Sequence, residues 1–130
     1  PLNQLLGDGE SILVVDDQSD QRQLTYEVLK RLNYEPSVCS SGKEAVDLMA
    51  DHKFDLILLD MVMDKGWDGP ETYIELQKVQ PGQRVLLVSG FVDLEKIKEA
   101  QEVGSNGFVK KPFTLESIGR AIRNTLRQQD

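Results

Sequence analysis

Side chains able to do chemistry fall at one repeated kind of place in this chain, the carboxyl end of an apolar run. Asp16 and Asp17 directly follow the run 12–15, Asp60 closes the run 54–59, Ser89 follows 85–88, and Lys110 and Lys111 follow 107–109. Three carboxylates gathered in one crevice repel by roughly several kcal/mol at a low effective dielectric, so such a set calls for cations. Mg²⁺ suits it, being hard, oxygen-seeking and satisfied by one or two carboxylates with phosphate and water; Mn²⁺ is the natural substitute. A lysine brings a second positive charge. A carboxylate beside a hard cation, a lysine and a hydroxyl is equipped for phosphoryl transfer with aspartate as the nucleophile. Metal and lysine would neutralise the equatorial oxygens, and the Ser89 hydroxyl would donate to one of them.

The apolar runs are joined by segments with helical periodicity. Leu24, Val28, Leu29 and Leu32 recur at helical spacing after the first run. Residues 35–39 form a weaker strand whose Pro36 suits a sheet edge. Ser41-Gly42-Lys43-Glu44 reads as a capping box opening a helix to about Ala50. Asp68-Gly69-Pro70 opens a third helix, with Pro70 tolerated in its first turn. Asp93 caps a fourth carrying Leu94, Ile97 and Ala100 and stopped by Gly104. Thr114 caps a fifth with Leu115, Ile118, Ile122 and Leu126 on one face. Five strand–helix units with continuous apolar strands predict an α/β fold, a doubly wound five-stranded parallel sheet covered on both faces. In such sheets ligands bind beyond the carboxyl ends of the strands, where strand order reverses. With order 2-1-3-4-5 the reversal lies between the first and third strands, and Asp16, Asp17 and Asp60 converge there.

Composition narrows the field. At 130 residues the chain is one domain by length, with residues 1–10 read as a linker or N-terminal arm and 11–130 as the domain. Hydrophobic content of 39% and charged content of 28% argue against disorder and for a soluble globular domain. Fifteen Lys and Arg against 22 Asp and Glu give a net charge of −7, a poor balance for gripping a phosphate backbone, so no direct nucleic-acid partner is expected. The single cysteine, Cys39, excludes an internal disulfide framework and reads as a buried strand residue. The apolar runs are too short to cross a bilayer and no signal-peptide pattern opens the chain, so the expected setting is cytoplasmic, without direct membrane contact. The start at Pro1, without methionine, suggests a piece of a longer parent.

Four segments, Val14-Val15-Asp16-Asp17, Leu58-Leu59-Asp60-Met61, Val88-Ser89-Gly90 and Phe108-Val109-Lys110-Lys111-Pro112-Phe113, stand in order, each at a strand end. In them the chain resembles the receiver domain of two-component response regulators, over about residues 11–128. The resemblance implies a flavodoxin-like fold and Asp60 as the phosphoacceptor. It implies Mg²⁺ held by Asp17 directly and by Asp16 partly through water, with Asp60 and the backbone carbonyl of Val62 as further ligands. Lys111 matches the lysine that assists transfer, joined to Pro112 by a cis peptide, while Lys110 fills a variable slot. Ser89 and Phe108 match the hydroxyl and aromatic pair that switches the face of the fourth helix, fifth strand and fifth helix. The implied donor is a histidine kinase or histidine phosphotransfer domain. The implied reader is an output domain or partner on the switch face, through which receivers of this kind also form homodimers. Asp68-Gly69-Pro70-Glu71-Thr72-Tyr73 and Val88-Ser89-Gly90-Phe91 resemble receivers at the C-terminus of hybrid sensor histidine kinases.

The match has departures. The segment from Asp60 to Gly69 is one residue longer than the common pattern and lacks the usual proline after the methionine. Val62 and Phe91, both apolar, are expected to flank the path of attacking water and so slow loss of the phosphoryl group. An aspartyl-phosphate hydrolase would need a second aspartate where Val62 stands. A flavodoxin-like cofactor binder would need a phosphate-cradling loop where Asp16-Asp17-Gln18 stands. A docking-only pseudo-receiver would not require the full residue set. Elsewhere, His52 is expected to be a solvent-exposed structural residue, Trp67 a loop anchor able to report on the site, and Asp64, Asp68 and Asp93 loop or cap residues.

Overall fold

The computed structural model describes residues 4–90 and 107–128, together with Glu95 and Lys98 between them. Five strands, β1 (Ser11–Val15), β2 (Glu35–Cys39), β3 (Leu56–Asp60), β4 (Val85–Ser89) and β5 (Phe108–Lys110), form one parallel sheet in the order β2-β1-β3-β4-β5. The strand order is the expected one. Pro36 sits on the edge strand β2, where a missing ladder N–H costs least.

Side chains alternate across the sheet and feed two cores. Leu13, Val15, Ile57, Leu59 and Leu87 point to one face, under α2 (Gly42–Met49) and α3 (Gly69–Val79). Ile12, Val14, Leu58, Leu86 and Val88 point to the other, under α1 (Ser19–Arg31) and the C-terminal helix (Leu115–Leu126). Burial on both faces is why β1, β3 and β4 read as unbroken apolar runs.

The helix starts follow from capping. Ser41 Oγ accepts from Glu44 N–H, as a box requires, but the Glu44 carboxylate turns to the backbone N–H and hydroxyl of Ser40 instead of closing the box on Ser41. Full boxes form at Asp68 with Glu71 and at Thr114 with Ser117. In α1, Leu29 is buried and Val28 is partly so, but Leu24 is 55% exposed and is not a core residue. Thr25 takes the inward position on that turn. Glu95 and Lys98 are helical, while Asp93, Leu94, Ile97, Ala100 and Gly104 lie outside the described residues, as does Phe91.

Residues 4–10 lie against the domain. Gly7 N–H donates to Leu32 O and Asn33 Nδ2 donates to Gly7 O, each at 2.7 Å. A Cβ at Gly7 would come within 2.1 Å of the Tyr34 ring, so only glycine permits this approach. Arg123 Nη1 donates to Leu6 O, and Leu5 packs on the core shared by α1 and the C-terminal helix. Among the described residues, no helix is long and apolar enough to cross a membrane.

Candidate functional site

Register fixes where the polar residues emerge. β1 pairs with β3 through Val15↔Leu59, so Asp16 and Asp60 leave adjacent strands side by side. β4 carries Ser89 at its end, paired with Lys110 of β5, and the Lys111 N–H donates to Ser89 O at 2.8 Å. Lys110 is exposed and Lys111 turns inward.

Asp16, 3% exposed, is held on every side. Its Oδ1 accepts from Gln18 N–H at 3.0 Å, its Oδ2 accepts from Lys111 Nζ at 3.0 Å, and its carbonyl accepts from Arg22 Nη1 at 2.8 Å. Asp60 Oδ1 accepts from Val62 N–H at 3.0 Å, and its Oδ2 lies 3.5 Å from Lys111 Nζ. Asp17 Oδ2 accepts from Asp64 N–H at 2.6 Å. Asp17 Oδ1 is buried and has no partner among the described residues. One carboxylate oxygen from each of Asp16, Asp17 and Asp60 lies within 4.8 Å of the others.

Burial pushes the Asp60 carboxyl above its ordinary value; the Val62 N–H and Lys111 pull it back, and Asp16 adds to the push. One ammonium group thus serves two of three clustered carboxylates, and a buried oxygen of the third is left unsatisfied. An orphaned buried anion oxygen is costly unless a cation completes it. The donor set is all oxygen and mostly carboxylate, which fits a hard divalent ion such as Mg²⁺.

Ser89 is buried at the end of β4. Phe108 is half-buried and packs against the core beneath α2 and α3. Val62, 37% exposed, stands at the rim of a cavity of about 450 Å³ that opens beside Asp60. Gln18, Gln21, Leu24 and Phe113 line the same cavity. Its α1 side was not foreseen, because helical periodicity marks Leu24 as apolar without saying which surface it covers. A larger cavity of about 700 Å³ lies between residues 4–5 and the C-terminal helix and is lined by none of these carboxylates.

The Lys111–Pro112 peptide is cis. His52 is exposed and stacks on Phe54, with ring centroids 6.3 Å apart. The Cys39 thiol is buried and pushed up to about 12, chiefly by burial and then by Glu44. Asp68 is a helix cap and Trp67 is half-buried in the loop before it. Asp64 contributes its backbone N–H to the carboxylate cluster, a role its residue type does not announce.

Comparison with known proteins agrees with this arrangement. Residues 12–123 match the family model described as the response regulator receiver domain. Over 117 residues the chain is 32% identical to sporulation initiation phosphotransferase F of Bacillus subtilis, covering 90% of this chain and 94% of that protein. It is 28% identical over 127 residues to the sensor kinase CckA of Brucella abortus, covering 96% of this chain and 13% of that one. The solved structure of chemotaxis protein CheY4 of Vibrio cholerae superposes with a TM-score of 0.81 at 26% identity, covering 90% of this chain and 98% of that one.

Proposed function

The chain belongs to the response regulator receiver domain family of two-component systems, and we propose that it is a phosphoacceptor that takes a phosphoryl group on Asp60 from a partner phosphohistidine. The observation that carries the reading is the Lys111 ammonium, which lies 3.0 Å from Asp16 and 3.5 Å from Asp60 across three strand ends. Nothing in the core requires those charges to meet; a transferring phosphoryl group does.

An Asp60 carboxylate oxygen attacks phosphorus. The new P–O bond forms as the P–N bond to the donor imidazole breaks, and the imidazole leaves with the electron pair and takes a proton from water. Lys111 is placed to pair with a phosphoryl oxygen, and Ser89 to donate its hydroxyl to another. Asp16, Asp17, Asp60 and the Val62 carbonyl would hold Mg²⁺, or Mn²⁺ in its place. When bound, the ion supplies neutralising charge at the phosphoryl oxygens. Asp16, already tied by Gln18 and Lys111, suits contact through water, whereas Asp17 has a buried oxygen to offer directly.

Phosphorylation then turns Ser89 toward the phosphoryl group and moves Phe108 inward. The face containing β5 and the C-terminal helix is thereby reshaped for an output domain, another partner or a second copy. The donor is a histidine kinase or histidine phosphotransfer domain in the cytoplasm. It catalyses only its own phosphorylation and dephosphorylation, turning over no outside substrate, and in that sense it is a switch, not an enzyme.

The test is intact mass after incubation with acetyl phosphate, with and without Mg²⁺, for the wild type and Asp60→Asn. One phosphoryl adduct that requires both Mg²⁺ and Asp60 is the expected result. No adduct on a folded chain that binds Mg²⁺ would point instead to a docking-only module.

A further inference from the structure

After Asp60 the chain alternates between core and solvent. Met61 and Met63 are buried in the core beneath α2 and α3, and Val62 between them is exposed. Met63 therefore pins the backbone immediately before Asp64, whose N–H donates to Asp17 Oδ2 at 2.6 Å. Beyond it the loop turns at Gly66, with φ of 73°, and ends in the box formed by Asp68 and Glu71. The loop is tethered at both ends; Val62 N–H donates to Asp60, and the Asp64 N–H falls on the aspartate that keeps a buried oxygen without a partner among the described residues.

Resting on the functional reading above, we propose that Asp64 is a positioning residue for the cation site and acts through its main chain. Its N–H holds one oxygen of Asp17, leaving Oδ1 for the ion. A proline at position 64 would carry no N–H and could not make this bond. The anchoring of Met63 thus has one physical consequence, a donor aimed at Asp17. Neutral donors to a metal-binding carboxylate fix its orientation, and removing them typically weakens metal binding by about tenfold or more. Trp67, the only tryptophan, is half-buried three residues further on, so ion binding and loop position are read by one fluorophore.

The test titrates MgCl₂ into the intact chain, followed by calorimetry and Trp67 fluorescence. Asp64→Pro deletes the N–H, while Asp64→Ala keeps it and removes the side chain. Asp64→Pro is expected to weaken Mg²⁺ binding by about tenfold. Asp64→Ala should stay within about threefold, since an exposed charge is largely screened. In the wild type, the Asp64 amide should be protected from hydrogen exchange before any Mg²⁺ is added. Equal affinity for wild type and Asp64→Pro, or equal weakening by both variants, overturns this inference alone. So does an Asp64 amide exchanging at the free-chain rate, which decides the matter if Asp64→Pro does not fold. A wild-type chain that takes up no Mg²⁺ overturns the functional reading and this inference with it.

Discussion

Asp60→Asn is expected to stabilise the metal-free chain while abolishing phosphorylation. At an effective dielectric near 20, two unit charges separated by the 4.8 Å limit of the carboxylate cluster repel by about 3.5 kcal/mol. Opposite charges at the 3.5 Å separating Asp60 from Lys111 attract by about 4.7 kcal/mol. Ionised Asp60 faces two such repulsions and one such attraction, a net penalty of about 2 kcal/mol before its desolvation is counted. Asparagine removes the charge and keeps an oxygen to accept the Val62 N–H. For a domain of this size the gain corresponds to a Tm about 5–8 °C higher. The assay is thermal unfolding in a chelator at neutral pH, repeated at falling pH and in saturating Mg²⁺. Burial raises the Asp60 carboxyl, so the folded state binds this proton more tightly than the unfolded chain does. The wild-type deficit is therefore full above the folded value and closes as pH falls through it into the ordinary carboxylate range. Mg²⁺ at a hundred times its dissociation constant adds about 2.7 kcal/mol to whichever chain binds it, so the wild type should gain more than the variant. An Asp60→Asn chain no more stable than wild type in chelator, or a difference that persists at acid pH, would refute the electrostatic account.

Other outcomes follow from the same geometry. Lys111→Ala should tighten Mg²⁺ binding, because the ammonium competes with the ion for Asp16 and Asp60, while slowing phosphoryl transfer from acetyl phosphate; calorimetry and the mass assay read the two opposite signs. Gly69→Ala would put a Cβ 2.6 Å from Met61 Cα, so it should cost about 1–3 kcal/mol in denaturant unfolding and shift the Trp67 emission. The Cys39 thiol, buried and pushed up to about 12, should resist a thiol-reactive dye at mildly alkaline pH until denaturant is added. Rapid labelling of the native chain would show that β2 opens locally.

Sequence alone determined the sheet and the placement of its chemistry. Strands buried on both faces must be apolar throughout, so a polar residue at the end of such a run marks the end of the strand; Asp16, Asp60, Ser89 and Lys111 were legible for that reason. The edge position of β2 was legible from Pro36, and the helix starts at Asp68 and Thr114 from residues able to accept a backbone N–H. What required the tertiary structure were relations between segments far apart in the chain. Periodicity identified Leu24 as apolar but could not place it beside Asp60 and not in the core. Ser41 and Glu44 have the spacing of a box, yet Glu44 found Ser40, because the nearest competing donor is set by the path of the preceding strand end. No residue type signals that the Asp64 main chain meets Asp17, since every residue but proline carries that N–H and only the anchoring of Met63 aims it. Local chemistry is written in side-chain type and spacing, whereas the partner of a backbone group is decided by which surfaces the folded chain brings within about 3 Å of one another.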